Sequence, residues 1–225
     1  RAAMNPLRLL LACGYLAVGC RTPIPSDTPA PYDAAVDALD APALAEASAD
    51  VAPDLPSAGP TRLRVATFNV HRFFDTTCDT GRCAAGDYEA LPSPEAFAQR
   101  ADEIARAIER LDVDVVFLQE VETAASLRAI SERLGAAWPT SALGEIGTPA
   151  SVDVAVVARD PLRAVRTHRE RVLHRPDGSS TVFSRELLEV ELDHAGRPVI
   201  VFAAHLRSMV DDDPGRRLAE AQAAR

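Results

Sequence analysis

Polar side chains close three apolar runs in this 225-residue chain. Asn69 ends Thr67-Phe68-Asn69, Gln119 and Glu120 follow Val115 to Leu118, and His205 follows Val199 to Ala204. Each of these side-chain types suits work at a phosphorus centre. A carboxylate such as Glu120 can hold Mg²⁺ or Mn²⁺, ions that keep several waters and need only one or two protein carboxylates. The Asn69 amide can donate to a phosphate oxygen. The His205 imidazole can carry a proton near neutral pH. Arg185 lies in an alternating segment of the same half of the chain, and its guanidinium can fork onto two phosphate oxygens. Together these are the parts for metal-assisted phosphoester hydrolysis. Singly, each has a plainer use: Asn69 in a turn, Glu120 as an acid before a helix, His205 as a hydrogen-bonded core residue, Arg185 as a cross-strand partner.

Such side chains need strands to carry them and helices to cover the strands. Arg62 to Val70 alternates, which predicts a strand. Ser93-Pro94-Glu95 supplies a cap, a proline for the first helical position and an acid, and Phe97, Ala101, Ile104, Ala105, Ile108 and Leu111 then recur at helical spacing. The unbroken apolar run Val115 to Leu118 predicts a strand covered on both faces. Thr123 caps a second helix with Leu127, Ile130 and Leu134 inward and Gly135 as its stop. Strands are predicted over Val152–Ala158, Val165–Leu173, Thr181–Leu192 and Val199–His205, with turns at Pro176-Asp177-Gly178 and Asp193 to Gly196, and a last helix from Gly215 onward. Helices early and strands later give a layered α/β protein with a mixed sheet. In such folds side chains at strand ends converge on one edge, where ligands bind.

Composition divides the chain near residue 60. Net charge is −9, which excludes a basic nucleic-acid-binding surface over the whole molecule, although all 24 basic residues are Arg. Residues 1–60 hold three Arg and seven acids, a net of −4, and eight of the 17 Pro fall between Arg21 and Pro60. Residues 1–20 read as an export leader: Arg8, an apolar stretch from Leu9 to Val18, then small residues before Cys20. That ending resembles a bacterial lipobox, in which Cys20 is acylated; the alternative is a plain secretory signal. Residues 21–60 read as a disordered Pro/Ala/Asp-rich tether, and residues 61–225 as the folded part. The expected localisation is an exported protein, membrane-anchored or secreted. Cys78 and Cys83, with four residues between them, are expected to form a local disulfide, since a zinc site would need further ligands.

The ordered segments TFNV, FLQEVE, FSRELLEVEL and FAAHL resemble the endonuclease/exonuclease/phosphatase (deoxyribonuclease I-like) family over roughly residues 62–225. The resemblance implies a four-layer α/β/β/α sandwich. It implies a metal-dependent phosphoester hydrolase with Mg²⁺ or Mn²⁺ on Glu120. Asn69 would lie beside the scissile phosphate, Arg185 would contact phosphate, and His205 would bond the phosphate or assist the leaving group. Asp153 falls where the family has a polar residue supporting that His. Nucleic acid is the first substrate class implied; sphingomyelin or inositol phosphates, or a non-catalytic binding module on the same fold, are the alternatives. A monomer is expected, with a membrane contact only through the anchor.

The family continues with a G-D-x-N segment and an S-D-H segment, which supply groups that place and activate the attacking water. Neither occurs in the 225 residues. The domain is therefore expected to be incomplete at its C-terminus, at about two-thirds of its length, and inactive as this fragment. Asp211-Asp212-Asp213 does not replace those segments. It reads as an exposed acidic helix start, with a structural Ca²⁺ loop as the other use.

Overall fold

The computed structural model describes residues 7–12, 62–209 and 213–225. The expected tether and Cys20 lie outside the described residues, as do Asp211 and Asp212. In chain order the elements are β1 (Leu7–Ala12), β2 (Val65–Phe73), α1 (Pro94–Arg110), β3 (Val115–Val121), α2 (Ala124–Leu134), β4 (Thr140–Gly144), β5 (Asp153–Ala158), β6 (Leu162–Thr167), β7 (Leu173–His174), β8 (Ser180–Thr181), β9 (Leu187–His194), β10 (Arg197–Ala204) and α3 (Pro214–Ala223).

Two four-stranded sheets run in the orders β2-β3-β5-β4 and β1-β10-β9-β6, beside a small β7-β8 hairpin. Residues of β3 face two ways. Val116 and Leu118 pack with α1 and α2 through Ile104, Ile108, Leu127 and Ile130, whereas Val115 and Phe117 pack against Leu188, Val190, Leu192 and Val201 of the second sheet. That double covering is why the run reads as continuously apolar, and all seven residues of β3 are buried. A third cluster, Leu173, Phe183, Leu187, Ala204 and Ala219, joins α3 to the outer side of the second sheet. The layers are therefore α/β/β/α, with α3 supplying the helix on the far side.

Local chemistry sets the element ends. Ser93 caps α1 by accepting the Ala96 N–H at 3.2 Å, and Thr123 caps α2 by accepting the Ser126 N–H at 3.1 Å. Asp213 caps α3 by accepting the Arg216 N–H at 3.0 Å, in keeping with an acidic helix start. Ala195 and Gly196 both have left-handed backbone, as a two-residue hairpin between β9 and β10 requires.

Two expectations are corrected. The strand foreseen over Val165–Leu173 starts earlier and stops at Thr167. The one foreseen over Thr181–Leu192 is broken: residues 182–186 leave the ladder between β8 and β9, so Arg185 lies in a bend and not on a strand. Buried Phe183 anchors that bend, and its Ser184 N–H is bound by Glu220 instead of a neighbouring strand. β4 went unforeseen because its residues, TSALG, alternate weakly. Leu7–Ala12, which lie within the expected leader, pair in parallel with β10.

Gly144, at the end of β4, permits the approach of Glu186, next to Arg185. A Cβ there would lie 2.8 Å from the Glu186 Cβ and Cγ and 3.2 Å from a Val154 methyl. Glu186 is buried and accepts the backbone N–H groups of His168 and Arg169, so it cannot swing aside freely. Gly144→Ala is expected to lower stability by about 1–3 kcal/mol, read as a lower denaturation midpoint at unchanged m-value; an unchanged midpoint would show that the Glu186 side chain yields.

Candidate active site

The two parallel strands β2 and β3 keep register as far as Asn69 opposite Gln119, then resume at Phe73 opposite Val121. On the other side of β3, Gln119 pairs Val154 and Val121 pairs Asp153. Glu120 is thus skipped by the ladder on both sides, and its φ is +68°. His71 and Arg72 opposite it have φ of +56° and +51°. Left-handed backbone at non-glycine residues costs roughly 1–3 kcal/mol each. This double bulge re-aims Glu120 away from the strict alternation of β3.

The strained segments hold each other. The Asn69 Nδ2 donates to Glu120 Oε1 at 2.9 Å, the Arg72 N–H donates to Oε2 at 2.9 Å, and the His71 N–H donates to Asn69 Oδ1 at 2.8 Å. The Glu120 carboxylate is buried and oriented, yet each oxygen has a lone pair left. His205, one residue past β10, brings Nε2 to 3.9 Å from Glu120 Oε1, close enough for charge to matter and too far for a hydrogen bond. Burial, and then the charge of Arg185, push the His205 imidazole down to about 4 against the opposing pull of Glu120. His205 is therefore neutral at pH 7.

Arg185 is held by its Nε, which donates to the Val152 carbonyl at 3.1 Å, and its charge is felt at His205, Asp153 and Tyr88. Asp153 is fully buried; its Oδ2 accepts from the Ser151 hydroxyl at 2.7 Å and the Ile146 N–H at 3.2 Å. Burial raises its carboxyl to about 6, with Arg185 pulling the other way. Asp153 and His205 are not joined: Oδ1 of the one and Nδ1 of the other are both buried without a hydrogen-bond partner.

The structure thus brings together Asn69, Glu120 and His205 directly and Arg185 through its field. The donors around Glu120 suit a hard divalent ion held by one carboxylate and waters, and among the described residues Glu120 belongs to no cluster of three ligand side chains that would suit zinc.

Other residues of the site had no sequence signal. Glu220 of α3 is fully buried; its Oε1 accepts the Ser184 N–H at 2.6 Å and its Oε2 the Arg207 N–H at 2.8 Å. One carboxylate therefore ties the bend before Arg185 to the segment after His205. Only its spacing of four from Arg216, whose Nε lies 3.5 Å from Oε1, marked it. Tyr88, half-exposed, sits under the Arg72 guanidinium at 4.7 Å and edge-on to Phe74. It belongs to the loop stapled by the Cys78–Cys83 disulfide, which forms as expected.

A sequence profile described as the endonuclease/exonuclease/phosphatase family matches residues 66–224. No curated protein matches the chain. Among solved structures, the chain is similar to a β-hairpin deletion mutant of beta toxin from Staphylococcus aureus, at 16% identity and a TM-score of 0.46, over 73% of this chain and 57% of that one. It is similar to sphingomyelinase C from Streptomyces griseocarneus at 22% identity and a TM-score of 0.45, over 72% of this chain and 54% of that one. An endonuclease/exonuclease/phosphatase from Beutenbergia cavernae matches at 23% identity and a TM-score of 0.43, over 72% of this chain and 42% of that one. The chain therefore spans about half the length of these structures.

The Asp153 carboxyl keeps its proton to about pH 6 in the fold against 3.8 in a free side chain. Its contribution to stability is present below pH 3.8 and lost as pH rises through about 6, because only the folded state must bury the ion. Asp153→Asn is expected to melt higher than the parent at pH 8, by an amount on the order of 2 kcal/mol, with the gap closing toward pH 4. Melting curves from pH 4 to 8 check this; a gap of constant size would mean the carboxylate is not strained by burial.

Proposed function

The chain belongs to the endonuclease/exonuclease/phosphatase family, and from that premise we propose that it carries the metal- and phosphate-binding half of a phosphodiester-hydrolysing site, with nucleic acid as the substrate class. Support comes first from Glu120, whose strained backbone is locked by Asn69 and the Arg72 N–H. Strain of that kind persists only where the surroundings over-determine it, and it gathers at sites of function. A divalent ion on Glu120, when bound, supplies a Lewis acid that polarises a phosphoryl oxygen.

The chain's own residues do the rest of the placing. Asn69 fixes the Glu120 carboxylate and holds an amide at the site's edge. The Arg185 guanidinium keeps nitrogens beyond its bonded Nε for phosphate oxygens. His205, neutral at pH 7, serves as a directional hydrogen-bonding group at the phosphate or leaving group and not as a counter-ion. Tyr88 offers a half-exposed ring beside the site on which a base can stack, and this favours nucleic acid over a lipid headgroup. The groups that would activate the water belong to the G-D-x-N and S-D-H segments of the family, which the 225 residues do not contain. We further propose export, which the Cys78–Cys83 disulfide favours. Cys20 would then serve as the lipid anchor, and its processing would remove Leu7–Ala12 from beside β10.

In the full-length gene product, Glu120→Gln is expected to lower Mg²⁺-dependent hydrolysis of DNA or RNA by about 10²-fold or more, with sphingomyelin and inositol phosphates turned over poorly by the parent. Activity retained in the variant would remove Glu120 from the metal site. Binding of nucleic acid without any turnover by the full-length parent would make the protein a binding module.

A further inference from the structure

A second set of carboxylates lies under the disulfide-stapled loop that joins β2 to α1. Glu89 and Glu122 are each only 1% exposed, although they are acids. Glu89 holds the loop from inside: its Oε1 accepts the Asp79 N–H at 2.6 Å and its Oε2 the Thr80 N–H at 2.7 Å. Glu122, just past β3, accepts the Asp75 N–H on Oε2 at 2.7 Å. Its Oε1 is buried and has no partner at all. Asp79, at the exposed rim, completes a group in which Asp79, Glu89 and Glu122 each bring an oxygen within 4.8 Å of the others. The charges that reach Glu122 most strongly are those of Asp75, Asp79 and Glu89, all of its own sign.

Buried carboxylates at this separation need a counter-charge or a shared proton. Three backbone N–H groups bond these carboxylates, but they bring no net charge, and they leave Glu122 Oε1 with nothing. We propose that Asp79, Glu89 and Glu122 form a Ca²⁺ site that pins the loop of residues 75–91 to the end of β3. The donor set is oxygen only, because the two nearby sulfurs are bonded to each other; that excludes a zinc-type thiolate site. Ca²⁺ takes six to eight oxygens in irregular geometry, and an exposed Asp79 leaves room for water to fill the remaining positions. Two buried anchors from separate segments and one rim ligand would give a weak site, in the 10⁻⁴–10⁻³ M class of extracellular modules. Its consequence is local: the same loop carries Tyr88, and the same strand end carries Glu120 two residues away. The ion would stiffen the flank of the site without entering it.

The test is thermal unfolding of the purified protein, stripped with EDTA and then titrated with CaCl₂. The parent and Glu120→Gln are both expected to melt several degrees higher at saturating Ca²⁺. Asp79→Asn, a rim change that leaves the buried bonds intact, is expected to need about tenfold more Ca²⁺ for the same shift. Glu122→Gln is expected to lose the shift while melting at or above the parent in EDTA, since it removes a buried charge. Absence of any Ca²⁺ shift in the parent would overturn the site. So would an Asp79→Asn titration identical to the parent's. A shift lost in Glu120→Gln but kept in Asp79→Asn would place the ion at Glu120 and likewise overturn it.

Discussion

The clamp between the ends of β2 and β3 is the constraint on which the site depends. Two parallel strands share a register that would point Gln119 and Glu120 to opposite faces. The bulge breaks that alternation at one residue, and the bonds from Asn69 and from the Arg72 N–H hold the break open. Regular structure on either side makes this tolerable. The Gln119 amide bonds the Thr67 hydroxyl at 2.9 Å on the last regular rung, and Val121 returns to pairing with both neighbours. A strand buried on both faces cannot slip to relieve the strain, because a one-residue slip would drive Val115 to Leu118 into the wrong layers. The two apolar cores therefore stabilise the left-handed Glu120 at a distance.

Buried acids perform a parallel task elsewhere. Glu89, Glu122, Glu186 and Glu220 are each almost inaccessible, and each accepts backbone N–H groups from a loop that no strand satisfies. A loop packed against a core has donors that must be met. A carboxylate meets two at once with charge-assisted bonds. The arrangement sets the positions of the segments on either side of the site: residues 75–91 through Glu89 and Glu122, the Arg185 bend through Glu220 from one side and Glu186 from the other.

That division explains what could be read from the chain. The strands bearing Asn69, Glu120 and His205 announce themselves because burial on both faces makes an apolar run, and a polar residue ending the run stands out. The caps Ser93 and Thr123 are equally local, each bonded three residues onward. Arg185 reads as a strand residue because TVFSRELLEVEL alternates, and alternation does not record that Phe183 turns into the third cluster and that Ser184 is bonded to a helix 36 residues away. The buried Glu residues left no periodic trace, since their partners are backbone groups in distant loops and any sequence offers those. Leu7–Ala12 is a case of one property with two uses: a short apolar run suits a leader, and it also suits the open side of β10.

The charges of the site lead to one further step. At neutral pH the His205 imidazole adds no charge to that of Glu120 and Arg185, because burial, and then Arg185, hold its pKa down to about 4. A phosphodiester entering such a site would bring an unbalanced negative charge into surroundings where Coulomb terms are weakly screened. His205 does not answer this unaided, since burial first and the Arg185 charge second keep the imidazole neutral. Nor can a shift of Arg185, which is tethered to the Val152 carbonyl and flanked by bends that Glu186 and Glu220 hold. On the proposed function, a divalent ion on the two oxygens of Glu120, oriented by Asn69 and the Arg72 N–H, would join the Arg185 guanidinium in balancing the charge of the entering phosphate.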